Sequence, residues 1–312
     1  MSIEQRLDPA LRHLAAARVD LSAETLVQVR ESLDERRRLS AAEVDVAGVE
    51  VTDSRAVMVG HTIPVRIYRA GGPAAPVVLF CHCGGFVLGN LDTDHRWCVE
   101  LARAVGCTVV SVDYRLAPEH PFPAAFDDAA AVLEWVAEDA AALGVDPRRI
   151  AVAGNSAGGG LAALVAQASA AGALPPVVFQ LLHQPVLDDR PTPSKADFST
   201  TPGFDGPAVE LMWQHYLAGA PVPAAAVPGR TDELAGVAPA LITCAELDPL
   251  RDEAVDYALR LMWAGVATEL HVYPGTCHGF ESFVPDWQTS RDLFALQAGA
   301  LRRAMYELGH TR

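Results

Sequence analysis

Gly154-Asn155-Ser156-Ala157-Gly158 lies between an apolar run, Ile150 to Ala153, and a small-residue segment, Leu161 to Ala171. A serine held between glycines at a strand-to-helix junction predicts a nucleophile elbow: the turn is too tight for flanking side chains, and the hydroxyl is pushed out above the sheet. The bare pattern is short enough to arise by chance, so its setting decides. Ala151, Val152 and Ala153 predict a short buried strand, and Leu161, Leu164, Val165 and Ala168 recur at i, i+3, i+4 and i+7, the spacing of a helix face. Amides at the start of that helix point at the hydroxyl, where they would meet negative charge as it develops, which suits acyl transfer through an oxyanion.

Working outward, Thr62 to Tyr68 and Val44 to Val51 alternate apolar and polar residues, predicting an antiparallel start to a sheet. Val77 to Cys81, Thr108 to Val112, Val177 to Leu182, Leu241 to Ala245 and Glu269 to Val272 complete the strands, and the continuous apolar runs among them predict burial on both faces. Helices are expected between them, over Ala125 to Leu143 after the proline-rich Asp113 to Pro123, and over Glu253 to Ala264. Strands alternating with helices predict an α/β fold around a mostly parallel sheet, with a site at the strand ends. Asp8 to Arg38 reads as two helical segments, the second capped by Ser22. Leu7, Leu11 and Leu14 share one face, and Leu26, Val29 and Leu33 another.

Two later strand ends supply partners for Ser156. Asp248 follows Leu241 to Ala245 and precedes Pro249, and His278 lies in a loop with glycines on both sides after Glu269 to Val272. An imidazole in reach of Ser156, with a carboxylate fixing its tautomer, makes a serine nucleophile. Glu246, on the same strand end, is the rival acid. After the third strand, His82-Cys83-Gly84-Gly85-Phe86 places consecutive glycine amides where they form an anion-binding concavity. Cys81-His82-Cys83 also raises a metal site, but no second Cys or His pair at zinc spacing accompanies it, and no metal or organic cofactor is expected.

With 312 residues, half of them hydrophobic, the chain suffices for one large domain with additions, and no repeat or linker divides it. Acidic residues outnumber basic ones 39 to 24, a net charge of −15. Scattered charge of this sign argues against nucleic acid and against stable membrane association. Met1 to Leu14 has no apolar core of the kind a signal peptide needs, and no stretch approaches the ~20 apolar residues of a membrane span. A cytoplasmic protein with mostly reduced, buried cysteines is the expectation.

Taken together, these blocks resemble the hormone-sensitive-lipase family of bacterial and archaeal carboxylesterases, within the α/β-hydrolase fold. His82 to Phe86 is similar to the family's H-G-G-G-[FW], Tyr114 to Pro123 to Y-R-L-A-P-E-x-x-F-P, and Gly154 to Gly159 to G-D-S-A-G-G. Asp248 to Asp252 and His278-Gly279-Phe280 match the acid and base blocks. The resemblance spans nearly the whole chain from Val44 and follows the family order Ser, Asp, His. It implies an oxyanion hole from the amides of Gly84, Gly85 and Ala157. It also implies a helical cap from residues 1–42 and 188–228 over a catalytic core of 43–187 and 229–312, in a single domain. Two positions depart: Cys83 stands where the family has glycine, and Asn155 where it has Asp.

The expected activity is therefore hydrolysis of a small-molecule carboxylic ester, with Ser156, His278 and Asp248 catalytic and with short to medium acyl chains preferred. A homodimer is compatible with the sequence. An amidase or a dehydratase could use the same site. A non-catalytic member like the plant gibberellin receptors would be expected to lose His278.

Overall fold

A computed structural model of the chain describes residues 2–58, 61–219 and 222–307. Eight strands form one sheet: β1 (Glu50–Met58), β2 (His61–Arg69), β3 (Ala75–Cys81), β4 (Thr108–Val112), β5 (Val145–Asn155), β6 (Phe179–His183), β7 (Ala240–Leu247) and β8 (Thr268–Cys277). Their spatial order is β1-β2-β4-β3-β5-β6-β7-β8. The β1/β2 and β2/β4 pairs are antiparallel, and every other pair is parallel. This is the α/β-hydrolase arrangement expected.

The apolar runs are buried on both faces because successive strand residues face opposite ways. Val77, Leu79 and Cys81 of β3 join Val152, Leu182 and Ile242 against the helices Ala124–Glu138, Ala157–Ala170 and Arg251–Trp263. Val78 and Phe80 join Ala151, Ala153, Leu181 and Leu241 against the helices His95–Val105 and Gln288–Arg302. Two cores thus sandwich the sheet, and the strand ends stay fixed from both sides.

The structure corrects four local expectations. The first strand is Glu50–Met58 rather than Val44 to Val51. The preceding stretch turns at Gly48, whose φ is +77°, and Asp45 accepts the Ala47 N–H while Arg103 binds the Asp45 and Ala47 carbonyls. Among residues 8–38 there is a 3-10 turn, Pro9–Leu14, and then the helix Leu26–Ala42. Its N-cap is Thr25, not Ser22, whose hydroxyl bonds Thr25 instead. Finally, β8 runs on to Cys277, so much of the loop expected around His278 is strand.

The segments 2–42 and 188–228, as far as they are described, pack on each other. Gly203 N–H donates to the Ala17 carbonyl, and His215 Nε2 lies 2.8 Å from the Leu21 carbonyl. Leu21 and Leu26 share the main core with Phe204 and with Met212, Trp213 and Tyr216 of the helix Gly206–Leu217. The insertion is fastened to the core by Lys195, whose Nζ lies 2.6 Å from the fully buried Glu253 carboxylate. Among the described residues no helix is long and apolar enough to cross a membrane.

Candidate active site

The elbow is built by glycine at close approaches. A Cβ at Gly154 would lie 2.2 Å from the Gly158 carbonyl oxygen, and one at Gly158 would lie 1.9 Å from that of Cys81. Neither site can hold a side chain. Between them Ser156 takes φ +54° and ψ −117°, a strained conformation for a residue with a side chain. It is held there by its N–H to the His183 carbonyl (2.8 Å) and by its carbonyl, which accepts from Val186 N–H (3.0 Å). The helix Ala157–Ala170 starts at the next residue, leaving first-turn amides without carbonyl partners.

His278 and Asp248 meet Ser156 because β7 and β8 are paired neighbours, Leu247 lying opposite Cys277. Their next residues therefore emerge side by side. His278 Nδ1 is 2.8 Å from Asp248 Oδ2, and His278 Nε2 is 3.0 Å from Ser156 Oγ. A carboxylate can only accept, so Nδ1 carries the proton and Nε2 presents its lone pair to the hydroxyl. Asp248 is fully buried, and its Oδ1 accepts the Leu250 N–H at 2.8 Å. Burial presses the His278 pKa down, but Asp248 outweighs it through its charge and hydrogen bond, and the net shift is upward from 6.5. Glu246 does not reach the imidazole: its two oxygens hold Arg6 Nη2 (3.1 Å) and Gly275 N–H (2.8 Å).

The glycine loop leaves β3 beside the elbow, Cys81 lying opposite Gly154, and a Cβ on Gly158 would lie 2.6 Å from the His82 carbonyl oxygen. Gly84 has φ +138° and Gly85 φ +61°, and a Cβ on Gly84 would sit 2.0 Å from the Leu88 carbonyl oxygen. Cys83 is not in the left-handed region, so a side chain fits where the first glycine of the triplet was expected. Burial, aided by the Asp94 charge, pushes the Cys83 thiol up. His82 stacks on Tyr114 with ring centroids 4.1 Å apart, and its Nδ1 lies 2.9 Å from the Cys83 carbonyl. Burial lowers its pKa to about 4, so it braces the loop as a neutral ring. Among the described residues no cluster of three or more His, Cys, Asp or Glu could hold a metal.

A family model described as the α/β-hydrolase fold matches residues 78–282, the span from β3 to just past His278. The chain belongs to the hormone-sensitive-lipase group of this family. The hydrolase is 43% identical over 255 residues to Carboxylesterase NlhH of Mycobacterium tuberculosis, covering 78% of this chain and 79% of the relative. It is 38% identical over 264 residues to Ethyl acetate hydrolase of Pseudomonas putida, covering 81% and 82%. Among solved structures, that of esterase LipW from Mycobacterium marinum superposes with a TM-score of 0.95 at 59% identity, covering 97% of each chain.

Three contributors to this hydrolase's site escape a reading of the sequence. Asp94, nine-tenths buried, accepts the Cys83 N–H at 2.8 Å and Asn155 Nδ2 at 3.0 Å. Burial raises its pKa against the pull of those two bonds. Gln184, at φ +46°, accepts the Gly279 N–H at 2.6 Å and so steadies the residue after His278. His183, whose carbonyl accepts the Ser156 N–H, has its buried ring between Thr243 Oγ1 (2.8 Å) and Glu281 (3.1 Å). None belongs to a motif. Their only signal is polarity in otherwise apolar surroundings at strand and helix ends.

Proposed function

We propose that this carboxylic ester hydrolase works through a serine acyl-enzyme. Ser156 Oγ attacks the ester carbonyl as His278 Nε2 takes its proton. The tetrahedral oxyanion lies against the amides of Gly84, Gly85 and Ala157. His278 returns the proton to the leaving alcohol, and Asp248 stabilises the imidazolium between the two transfers. Water, deprotonated by His278, then attacks the acyl carbonyl and releases the acid.

The observation that carries this reading is the unbroken contact series from Asp248 through His278 to Ser156, at 2.8 and 3.0 Å. Short to medium acyl chains of about two to eight carbons are the preferred substrates, each added methylene gaining up to ~0.8 kcal/mol until the pocket is full. The walls support this: Leu21 and Met212 close over Gly85, and the Phe204 ring stands 5.0 Å from the His278 ring.

The test joins a covalent label to a substrate series. A fluorophosphonate should modify Ser156 in the native protein and not in Ser156→Ala, which folds and has no ester turnover. Along p-nitrophenyl esters of increasing length, kcat/KM should rise and then fall. A steady rise through the longest chains would refute the compact pocket, and labelling elsewhere with activity retained in Ser156→Ala would refute the nucleophile.

A further inference from the structure

The two positions at which this chain departs from its family's pattern converge on one carboxylate. Cys83 immediately precedes the glycines of the loop, and Asn155 immediately precedes Ser156. Asp94 Oδ2 holds the backbone N–H of the first, and Oδ1 holds the side-chain amide of the second. Asp94 is the residue just ahead of the helix His95–Val105, where a side chain commonly caps the helix, yet it makes no such cap bond. Its oxygens are committed to the site instead.

We propose that Asp94 is a positioning residue that sets the oxyanion loop against the nucleophile elbow, and that Asn155 is required as its hydrogen-bond donor. The chemistry of the pair dictates the second clause. An ionised carboxylate only accepts, so its neighbour at 155 must donate, which an amide does and a carboxylate does not. The negative charge that the G-D-S-A-G-G pattern places beside the nucleophile has therefore not been lost here. It stands across the gap on Asp94, and the donor and acceptor have changed sides. A carboxylate at position 155 would face Asp94 as a like charge in a buried place.

The inference rests on the serine esterase reading and is tested by exchanging the partners. At pH 8, Asn155→Asp should lower kcat about 100-fold with KM within about threefold, because the loop loses its place while the substrate pocket keeps its walls. Asp94→Asn should lose about tenfold, since its amide faces the Asn155 amide until one turns over. The double variant Asp94→Asn/Asn155→Asp should recover at least tenfold over Asn155→Asp. In it the amide introduced at position 94 can accept from Cys83 and donate to the carboxylate introduced at position 155.

A wild-type kcat in Asn155→Asp, or a double variant no better than it, overturns the proposal. Should Asn155→Asp fail to fold, recovery of both fold and turnover in the double variant supports the pairing, and a double variant equally defective overturns it. Melting temperatures of the four proteins read the same coupling without any substrate. An absence of ester turnover in the wild type would therefore fail the esterase reading and leave the contact itself tested.

Discussion

Replacing Asp248 with Asn should be far more damaging than its near-identical shape suggests, and the reason lies on the side of Asp248 facing away from His278. Oδ1 accepts the Leu250 N–H at 2.8 Å in a fully buried position. That N–H requires an oxygen, so the amide introduced at position 248 must turn its NH2 towards His278 Nδ1. Nδ1 then has to accept, its proton moves to Nε2, and the lone pair that should take the Ser156 proton is gone. The tautomer is thus locked wrongly, at a cost of about 10³- to 10⁴-fold in kcat, or roughly 4–5 kcal/mol in the barrier. KM should change little. The acid limb of any residual activity should also move to lower pH, since Asp248 is what lifts the His278 pKa against burial. Stopped-flow hydrolysis of p-nitrophenyl acetate across pH 5 to 9 measures both. A loss under tenfold, or an equal loss in Glu246→Gln, would refute the assignment of the acid.

In the native protein, kcat/KM should rise with pH through a midpoint above 6.5, because the base must be neutral and its pKa is raised. A flat profile from pH 5 to 8 would remove His278 as base. Cys83→Gly should keep most of its turnover, because the loop is anchored through the backbone N–H at 83, and the native thiol, its pKa raised, should react slowly with iodoacetamide at pH 7. Fast alkylation with loss of activity would contradict that. Lys195→Met should leave the Glu253 carboxylate buried without its cation, lowering stability by about 3–5 kcal/mol in a denaturant titration. An unchanged midpoint would show that the insertion is held by other contacts.

The fold was legible where strands are buried on both faces. Val77 to Cys81 and Thr108 to Val112 cannot be anything but central strands once their length and flanking turns are considered, and both strands lie there. It was least legible at the edge, where β1 is largely exposed over residues 50–57 and carries little apolar signal, whereas Val44 to Val51 carries more but is bent by Gly48. The positions of Ser156, His278 and Asp248 follow from short patterns tied to strand ends, because such a site needs glycine or proline at fixed places. Asp94 and Gln184 follow from no pattern. Their partners are backbone amides and an Asn, distant in sequence, and any polar residue of the right reach would look the same in a string of letters.

The seat of Leu7 and Leu11 bears on how the chain is made. Both pack with Leu247, Cys277 and Phe280, and Asp8 N–H donates to the Gly275 carbonyl. These residues therefore cannot settle until β8, which follows them by more than 260 residues (275 − 8 = 267), has emerged. A ribosome adding about 5–20 residues per second keeps them waiting for many seconds with two large leucines exposed. The same docking seats residues 7–11 on the strand that presents His278, so the packing of that strand and the placing of this distant segment are coupled. A variant that slows this event, such as Leu11→Ser, should lower the yield of folded protein made in cells far more than it lowers the rate of each molecule that does fold.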